Sequence, residues 1–312
     1  MRKLNAAKRP LVALLVGLLV SLSAIAANPA PSIVREVAAL VAASASQERI
    51  VVLGEMHGTH EAPALAGELA GLLRPDADGA HAGGVTLALE IHATEQARID
   101  AFLDSSGDAA ARDALLSGPY WAVMPERSDG RRSVALLALI ESMRERRSAG
   151  EDLHILAFDT GSGGGDANVR NPRMAAALRE AFVRDPARRF VVLVGNYHAR
   201  RAPPTRVGGL QPGQSPPVPT MAHLADVPML RVNATAARGE FWGCMGGSCQ
   251  PWPLGGRRAV PSSNDGADSH EPANAMTEPR FQRTPHDIAG WDAQLVLPEY
   301  SVARPVDVGR QR

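Results

Sequence analysis

The chain has 312 residues, of which 45% are hydrophobic and 4% aromatic, and its 33 basic and 33 acidic side chains give a formal net charge of zero at pH 7. This length and composition suffice for one large domain or two ordinary ones, and they exclude a wholly disordered chain. The balanced charge argues against a nucleic-acid partner, because a general nucleic-acid binder needs an excess of basic side chains to displace counterions from phosphate.

The first 26 residues have the pattern of a secretory signal peptide. Four basic residues precede an apolar run over residues 11–25, and the segment ends in Ala-Ile-Ala. The run is shorter than the roughly 20 residues of a membrane-spanning helix. We therefore expect cleavage and a periplasmic or secreted mature protein without a stable membrane span; an uncleaved N-terminal anchor is the alternative. Lys3 and Lys8 are the only lysines, so the mature chain has none for a Schiff base or a phosphate-binding loop.

Short apolar strands alternate with helices along the next two hundred residues. The predicted elements are helix 31–45, strand 50–53, helix 63–73, strand 85–89, helix 94–103, helix 133–147, strand 153–158, helix 172–183, strand 190–194 and strand 227–232. Apolar strands separated by helices are typical of parallel βαβ units whose sheet is covered on both faces. We therefore expect a three-layer α/β fold with a mostly parallel sheet over residues 30–235.

Residues 236–312 differ in composition and are predicted to form an irregular extension that contains a hairpin. The only two cysteines, Cys244 and Cys249, are close in sequence, which in an exported chain predicts a hairpin closed by a disulfide; a redox or metal role is the alternative. Residues 255–287 are rich in Pro, Ser, Asn, Asp and Gly, which predicts a loop or a poorly ordered arm. Residues 294–302 are predicted to add an edge strand.

Acidic residues and histidines follow each of the four most apolar strands. In an open parallel sheet, ligands bind outside the carboxyl ends of the strands, because the loops converge there. The side chains that the four strands bring to this end are Glu55, His57, Glu90, Asp159 and His198. Carboxylates beside imidazoles are what acid–base catalysis and metal ligation both require. The sequence therefore predicts a site at this end, although each residue alone is also typical of a helix cap or a solvated loop.

Other catalytic motifs are absent or incomplete. Asp166 stands where a dinucleotide-binding fingerprint has its third glycine, and the chain has no G-x-S-x-G nucleophile elbow. His57 and His60 are three positions apart, whereas the zinc-binding H-E-x-x-H helix separates its histidines by four.

Four segments in a fixed order carry a family resemblance. The segments read VVLGEMHGTHEAP, LALEIHATEQARIDAFL, NPRMAAAL and VVLVGNYHA, and they lie between residues 49 and 232. In this order they resemble the superfamily that joins ChaN-type haem-binding uptake proteins, Tiki/TraB proteins and erythromycin esterases. The GTHE tail of the first segment is similar to the esterase branch, whereas GNYHA is similar to the ChaN branch.

The resemblance to the esterase and Tiki branches implies hydrolysis. In the esterase-like branch, His57 is the base that activates water, and Glu55 and Glu90 orient it. In the Tiki-like branch, Glu55, His57 and His198 hold a divalent metal. Either arrangement implies that a water, deprotonated by His57 or by the metal, attacks an ester or amide carbonyl of a small-molecule or peptide substrate.

Arginines near the site are candidates for binding negative charge. Arg131 or Arg132, ahead of a long helix, and Arg173 before Met174 are predicted to hold a carboxylate or to stabilise an oxyanion, as guanidinium groups do. The alternative is that they are ordinary exposed arginines at a helix start or on a helix face.

The resemblance to the ChaN branch implies a different function. It implies a haem- or iron-binding uptake protein without turnover, with Tyr197 and His198 as candidate cofactor ligands and with two subunits paired around the haem. Of the three tyrosines, only Tyr197 lies in a shared segment. A third alternative is an interaction protein on a degenerate enzyme fold.

Overall fold

The computed structural model describes residues 31–73, 83–161, 166–205, 214–254, 276–284 and 290–308. The predicted signal peptide lies outside these ranges. The helices are α1 (Pro31–Ser44), α2 (Glu61–Leu72), α3 (Gln96–Leu103), α4 (Ala109–Leu116), α5 (Val134–Ser148) and α6 (Ala167–Arg184). The strands are β1 (Ile50–Glu55), β2 (Val85–His92), β3 (Leu153–Asp159), β4 (Arg189–Gly195), β5 (Leu230–Met245), β6 (Ser248–Pro253), β7 (Arg280–Arg283) and β8 (Ala293–Tyr300).

Within the described residues, the eight strands form one sheet in the order β3-β2-β4-β1-β5-β8-β7, with β6 paired to β5 outside this path. Strands β1 to β5 pair with one another in parallel, and β8 is parallel to β5. The pairs β5–β6 and β7–β8 are antiparallel. The predicted α/β fold with a mostly parallel sheet is confirmed. Because β4 lies between β1 and β2, the ends of these three strands are neighbours in space.

Alternate residues of the central strands supply two apolar cores. Val51 and Leu53 of β1 face the larger core, which also receives residues of α1, α2 and α5. Ile50 and Val52 face the second core, which contains residues of α6. A period of two with apolar residues on both faces is what a parallel sheet covered by helices requires. The strands therefore lie in the middle layer of three, as predicted.

Two helices differ from their predictions. Helix α6 begins at Ala167, so Pro172 lies inside the helix and not in its first turn. The side chain of Asp166 accepts a hydrogen bond from the backbone N–H of Asn168, and this N-cap sets the earlier start. Helix α4 is absent from the predicted elements. Only Leu115 and Leu116 of its residues are buried, and so small an apolar face gives no helical pattern in the sequence.

The C-terminal residues join the main sheet. Strand β5 continues past residue 235 to Met245, so it runs through the predicted domain boundary. The predicted hairpin is confirmed: β5 and β6 pair with Cys244 opposite Cys249, and a disulfide joins the two. Two predictions are corrected. Residues 280–283, expected to be loop, form strand β7, and β7 covers β8, which is therefore not the edge.

A buried ion pair fastens β8 to the sheet. The carboxylate of Asp292, just before β8, accepts hydrogen bonds from the backbone N–H of Arg231 at 2.9 Å and from its Nη1 at 3.2 Å. Arg201 lies 3.3 Å from the other carboxylate oxygen. Both Arg231 and Asp292 are buried. Removal of the acid would therefore leave a buried guanidinium without its counter-charge.

We expect Asp292→Ala to lower the free energy of unfolding by about 3–5 kcal/mol, the usual cost of breaking a buried pair. Urea denaturation measures this loss. Glu299→Ala is the control, because Glu299 pairs with Arg238 on the surface and exposed pairs contribute about 0–1 kcal/mol. Equal losses in both variants would contradict the assigned role of Asp292.

Candidate active site

His57 follows β1, and two carboxylates lie next to its imidazole ring. Nδ1 lies 3.0 Å from Oε1 of Glu55, and Nε2 lies 3.7 Å from Oε2 of Glu90, beyond direct hydrogen-bond distance. A carboxylate only accepts, so neutral His57 carries its proton on Nδ1 and can accept one at Nε2. Gly195 ends the adjacent strand β4, and a Cβ atom there would lie 2.8 Å from Nε2. The glycine therefore leaves the space that the ring occupies.

Glu90 and Asp159, from β2 and β3, share two arginines. Arg170 of α6 donates from Nε to Oδ1 of Asp159 at 2.9 Å, and from Nη2 both to Oδ2 of Asp159 at 2.8 Å and to Glu90. Arg131 donates from Nη1 to Glu90 at 3.2 Å and to Asp159 at 3.4 Å. The backbone N–H of Gly195 donates to the other oxygen of Glu90 at 2.8 Å. Both carboxylates are buried, and these donors offset the cost of removing their charges from water.

His198, which follows β4, supports Arg170. Its Nε2 lies 3.1 Å from Nη1 of Arg170, and its Nδ1 lies 3.2 Å from Oγ1 of Thr220. Because a guanidinium only donates, Nε2 of His198 is the acceptor, and Nδ1 carries the proton. Both nitrogens of this ring are therefore engaged, which suits a positioning role.

The pKa values of the two histidines are shifted in opposite directions. Burial by itself would lower the pKa of His57, but the charges of Glu55 and Glu90 and the hydrogen bond to Glu55 outweigh it and raise the pKa above its ordinary value. Burial lowers the pKa of His198 against the opposing charge of Glu90, and Arg170 adds to the lowering. Burial would raise the pKa of the Glu90 carboxyl, but the surrounding histidines and arginines hold it well below its ordinary range. Of the two histidines, His57 is therefore the one whose protonated form the surroundings favour.

No protein-family model and no curated protein sequence matches the chain. Among solved structures, a histidine-to-asparagine mutant of erythromycin esterase EreC in its open conformation aligns with a TM-score of 0.58 and 13% identity, over 86% of this chain and 95% of that chain. The chain has the erythromycin-esterase fold.

Two further solved structures have the same fold. A succinoglycan biosynthesis protein aligns with a TM-score of 0.56 and 9% identity, over 85% of this chain and 91% of that chain. A Bacillus cereus protein aligns with a TM-score of 0.50 and 10% identity, over 88% of this chain and 99% of that chain. At these identities the likeness concerns the fold. The resemblance that the four sequence segments indicated is confirmed at that level.

Most of the predicted site residues meet at the carboxyl ends of the strands of this erythromycin-esterase fold. The cluster contains Glu55, His57, Glu90, Arg131, Asp159 and His198. It also contains Arg170, which was not predicted. The predicted helix 172–183 does not include Arg170, whereas the observed helix begins at Ala167 and has Arg170 in its first turns.

Two predicted arginines lie elsewhere. Arg173 is exposed on α6, and Arg170, nearly one helical turn earlier, contacts the carboxylates instead. Arg132 donates to the backbone carbonyl of Tyr120, and its guanidinium lies 4.6 Å from the centre of the Tyr120 ring. Of the alternatives Arg131 and Arg132, the structure therefore places Arg131 at the carboxylates and uses Arg132 to hold the preceding loop.

The expected metal ligands do not form a fitting metal site. In the part of the chain that the structure describes, no group of three or more His, Cys, Asp or Glu side chains has an arrangement that could hold a metal ion. Of the expected set Glu55, His57 and His198, the last turns Nε2 to Arg170 and Nδ1 to Thr220. Tyr197, expected as a haem ligand, donates its hydroxyl to the carbonyl of Pro217.

We expect His57→Gln to lower the free energy of unfolding more at pH 6 than at pH 9, measured by urea denaturation. The pKa of His57 is raised in the folded state, so its interactions with Glu55 and Glu90 stabilise the fold fully below the unfolded pKa of about 6.5. This stabilisation is lost as pH rises through the folded pKa. His60→Gln is the control, because burial lowers the pKa of His60 and its pH dependence has the opposite sign. The same pH dependence in both variants would contradict the assignment.

Proposed function

We propose that the chain is an exported hydrolase in which His57 activates a water molecule to attack an ester or amide carbonyl. One observation carries the proposal: the imidazole is held at Nδ1 by Glu55, while Nε2 lies beyond hydrogen-bond distance of Glu90. A general base must be oriented and must have a pKa near the working pH. His57 has a fixed orientation, a raised pKa and a side chain that remains 23% exposed, within reach of a substrate.

The bond to Glu55 determines which nitrogen of His57 moves the proton. Neutral His57 takes a proton from water at Nε2 as the water oxygen bonds to the carbonyl carbon. The charges of Glu55 and Glu90 stabilise the imidazolium that forms. When the tetrahedral intermediate collapses, Nε2 returns the proton to the leaving alcohol or amine. Glu55 thus orients the ring, and Glu90 adds the negative charge that balances its protonated form.

Arg131 and Arg170 are proposed to stabilise the negative charge that develops on the carbonyl oxygen. Their side chains remain 18% and 19% exposed, although both are bonded to Glu90 and Asp159. Nη1 of Arg131 and Nη2 of Arg170 already donate to both carboxylates. The other terminal nitrogen of each side chain has one partner, Asp129 for Arg131 and His198 for Arg170, so its second hydrogen can point to the substrate. Donors held in place before the reaction stabilise the transition state without a reorganisation cost. His198 and Asp159 contribute by fixing the position of Arg170.

The fold and the disulfide support the remaining parts of the proposal. The erythromycin-esterase fold is shared with a protein named as an esterase. The bond between Cys244 and Cys249 supports export, because structural disulfides persist in oxidising compartments. Among the helices that the structure describes, none has the length and apolarity needed to cross a membrane. We propose a periplasmic or secreted enzyme that acts on a small molecule or a peptide.

We expect His57→Gln to reduce kcat/KM for ester hydrolysis by roughly 10²–10⁴-fold, the usual contribution of a general base. His60→Gln is the matched control in the same motif, because its side chain lines a groove beside α2 and α5, apart from the carboxylates. The assay uses a panel of esters, lactones and peptides with and without EDTA. Activity that survives in His57→Gln, or an inactive wild type across the panel, would contradict the proposal.

We expect the wild-type kcat/KM to rise with pH through the pKa of His57, because only the neutral ring accepts a proton. Glu55→Gln removes a negative charge that raises this pKa, so the acidic limb of the profile should move to lower pH while the maximum rate falls. Glu68→Gln serves as the control, since Glu68 pairs with Arg35 at the surface. An unchanged limb in Glu55→Gln would show that another group controls the rate.

A further inference from the structure

Three chain segments meet beside the catalytic cluster. The backbone carbonyl of Gly58, next to His57, accepts hydrogen bonds from the backbone N–H of Trp242 at 3.0 Å and of Ala303 at 2.9 Å. Gly130, next to Arg131, approaches the same point, where a Cβ atom on it would lie 2.5 Å from the Trp242 carbonyl oxygen. Gly58, which follows His57, and Gly130, which precedes Arg131, are therefore both in contact with the disulfide hairpin β5–β6.

Two glycines allow this close contact. Gly58 has φ of +74° and Gly130 has φ of +94°, values that other residues rarely adopt. A Cβ atom on Gly58 would lie 2.2 Å from the carbonyl oxygen of Trp242. A displacement of Trp242 would therefore shift both glycines and, through the chain, the imidazole of His57 and the guanidinium of Arg131.

The Trp242 side chain connects the hairpin to the loop before Arg131. Its Nε1 donates to the backbone carbonyl of Ser128 at 2.9 Å, and the side chain is buried. Two residues along β5, Sγ of Cys244 lies 3.2 Å from the same carbonyl oxygen. The disulfide to Cys249 closes the hairpin at this point. The Ser128 carbonyl is thus bonded to the indole and lies against the disulfide end of the hairpin.

We propose that Trp242 is a positioning residue that sets the placement of Arg131 relative to His57, and that the Cys244–Cys249 disulfide keeps it in place. The C-terminal hairpin acts on the catalytic cluster through the backbone, without contributing a group to the reaction. An effect of this placement on the reaction rate rests on the proposed function, whereas the contacts themselves do not.

Trp242→Phe tests the proposal, because it keeps an aromatic ring and the backbone bond to Gly58 but removes the indole N–H. Trp252→Phe is the matched control: Trp252 lies on the same hairpin and donates its Nε1 to Gly243 within the hairpin at 3.0 Å. Hydrogen exchange is measured over residues 124–132 and 56–60, and the ring carbon–proton NMR signal of His57 is recorded. A second variant, Cys244→Ser with Cys249→Ser, tests the disulfide.

We expect exchange over residues 124–132 to be roughly fivefold faster in Trp242→Phe, which corresponds to the loss of one hydrogen bond of about 1 kcal/mol. The His57 ring signal should move in this variant and in the double serine variant, and it should stay unchanged in Trp252→Phe. For any ester that the wild-type protein hydrolyses, Trp242→Phe should have a lower kcat and an unchanged KM.

The proposal is wrong if the His57 signal and the exchange over residues 124–132 are the same in Trp242→Phe and the wild type. It is also wrong if Trp252→Phe produces an equal change, because the effect would then come from the hairpin as a whole. Neither readout requires a substrate. A chain that hydrolyses nothing can therefore still support the positioning role, so the two proposals fail separately.

Discussion

The buried carboxylate of Glu90 is the constraint on which the site depends. It lies at the end of a central strand and has almost no solvent to stabilise its charge. Arg131, Arg170 and the backbone N–H of Gly195 supply the donors that compensate for burial. Each of these groups comes from a different part of the chain, so the loop before α5, the start of α6 and the end of β4 must all be in place before Glu90 can be buried in its charged form.

The strand order turns this constraint into the arrangement on which the proposed catalysis depends. Strand β4 lies between β1 and β2, so the side chains of His57 and Glu90 approach each other over the end of β4. Only a glycine fits at that end, because a Cβ atom on Gly195 would meet the His57 ring and approach the Glu90 carboxylate. The glycine lets the Glu90 carboxylate lie beside the His57 ring, while Glu55, the last residue of β1, is bonded to the other ring nitrogen.

The C-terminal residues are part of this same structure. Strand β8 pairs with β5 in the main sheet, and the segment that follows it bonds to Gly58 and to the start of α5. The β5–β6 hairpin contacts the same loops through Trp242. A segment whose composition indicated an irregular extension therefore holds the loops that carry His57 and Arg131. Loops that bear functional groups are often held by a rigid scaffold in this way.

The apolar runs of the sequence predict the fold class, strands β1 to β4, part of β5 and five of the polar residues at the carboxyl ends, because buried parallel strands are continuous apolar runs and their ends face one edge. The sequence also predicts the disulfide hairpin, because its only two cysteines are close in sequence and the chain is expected to be exported. The tertiary structure is needed to show that Arg170 and Arg131 contact Glu90 and Asp159, whereas Arg173 and Arg132 lie elsewhere. Arg170 and Glu90 are 80 positions apart, so their contact depends on strand order and on where α6 begins. Local sequence patterns do not encode contacts over that separation.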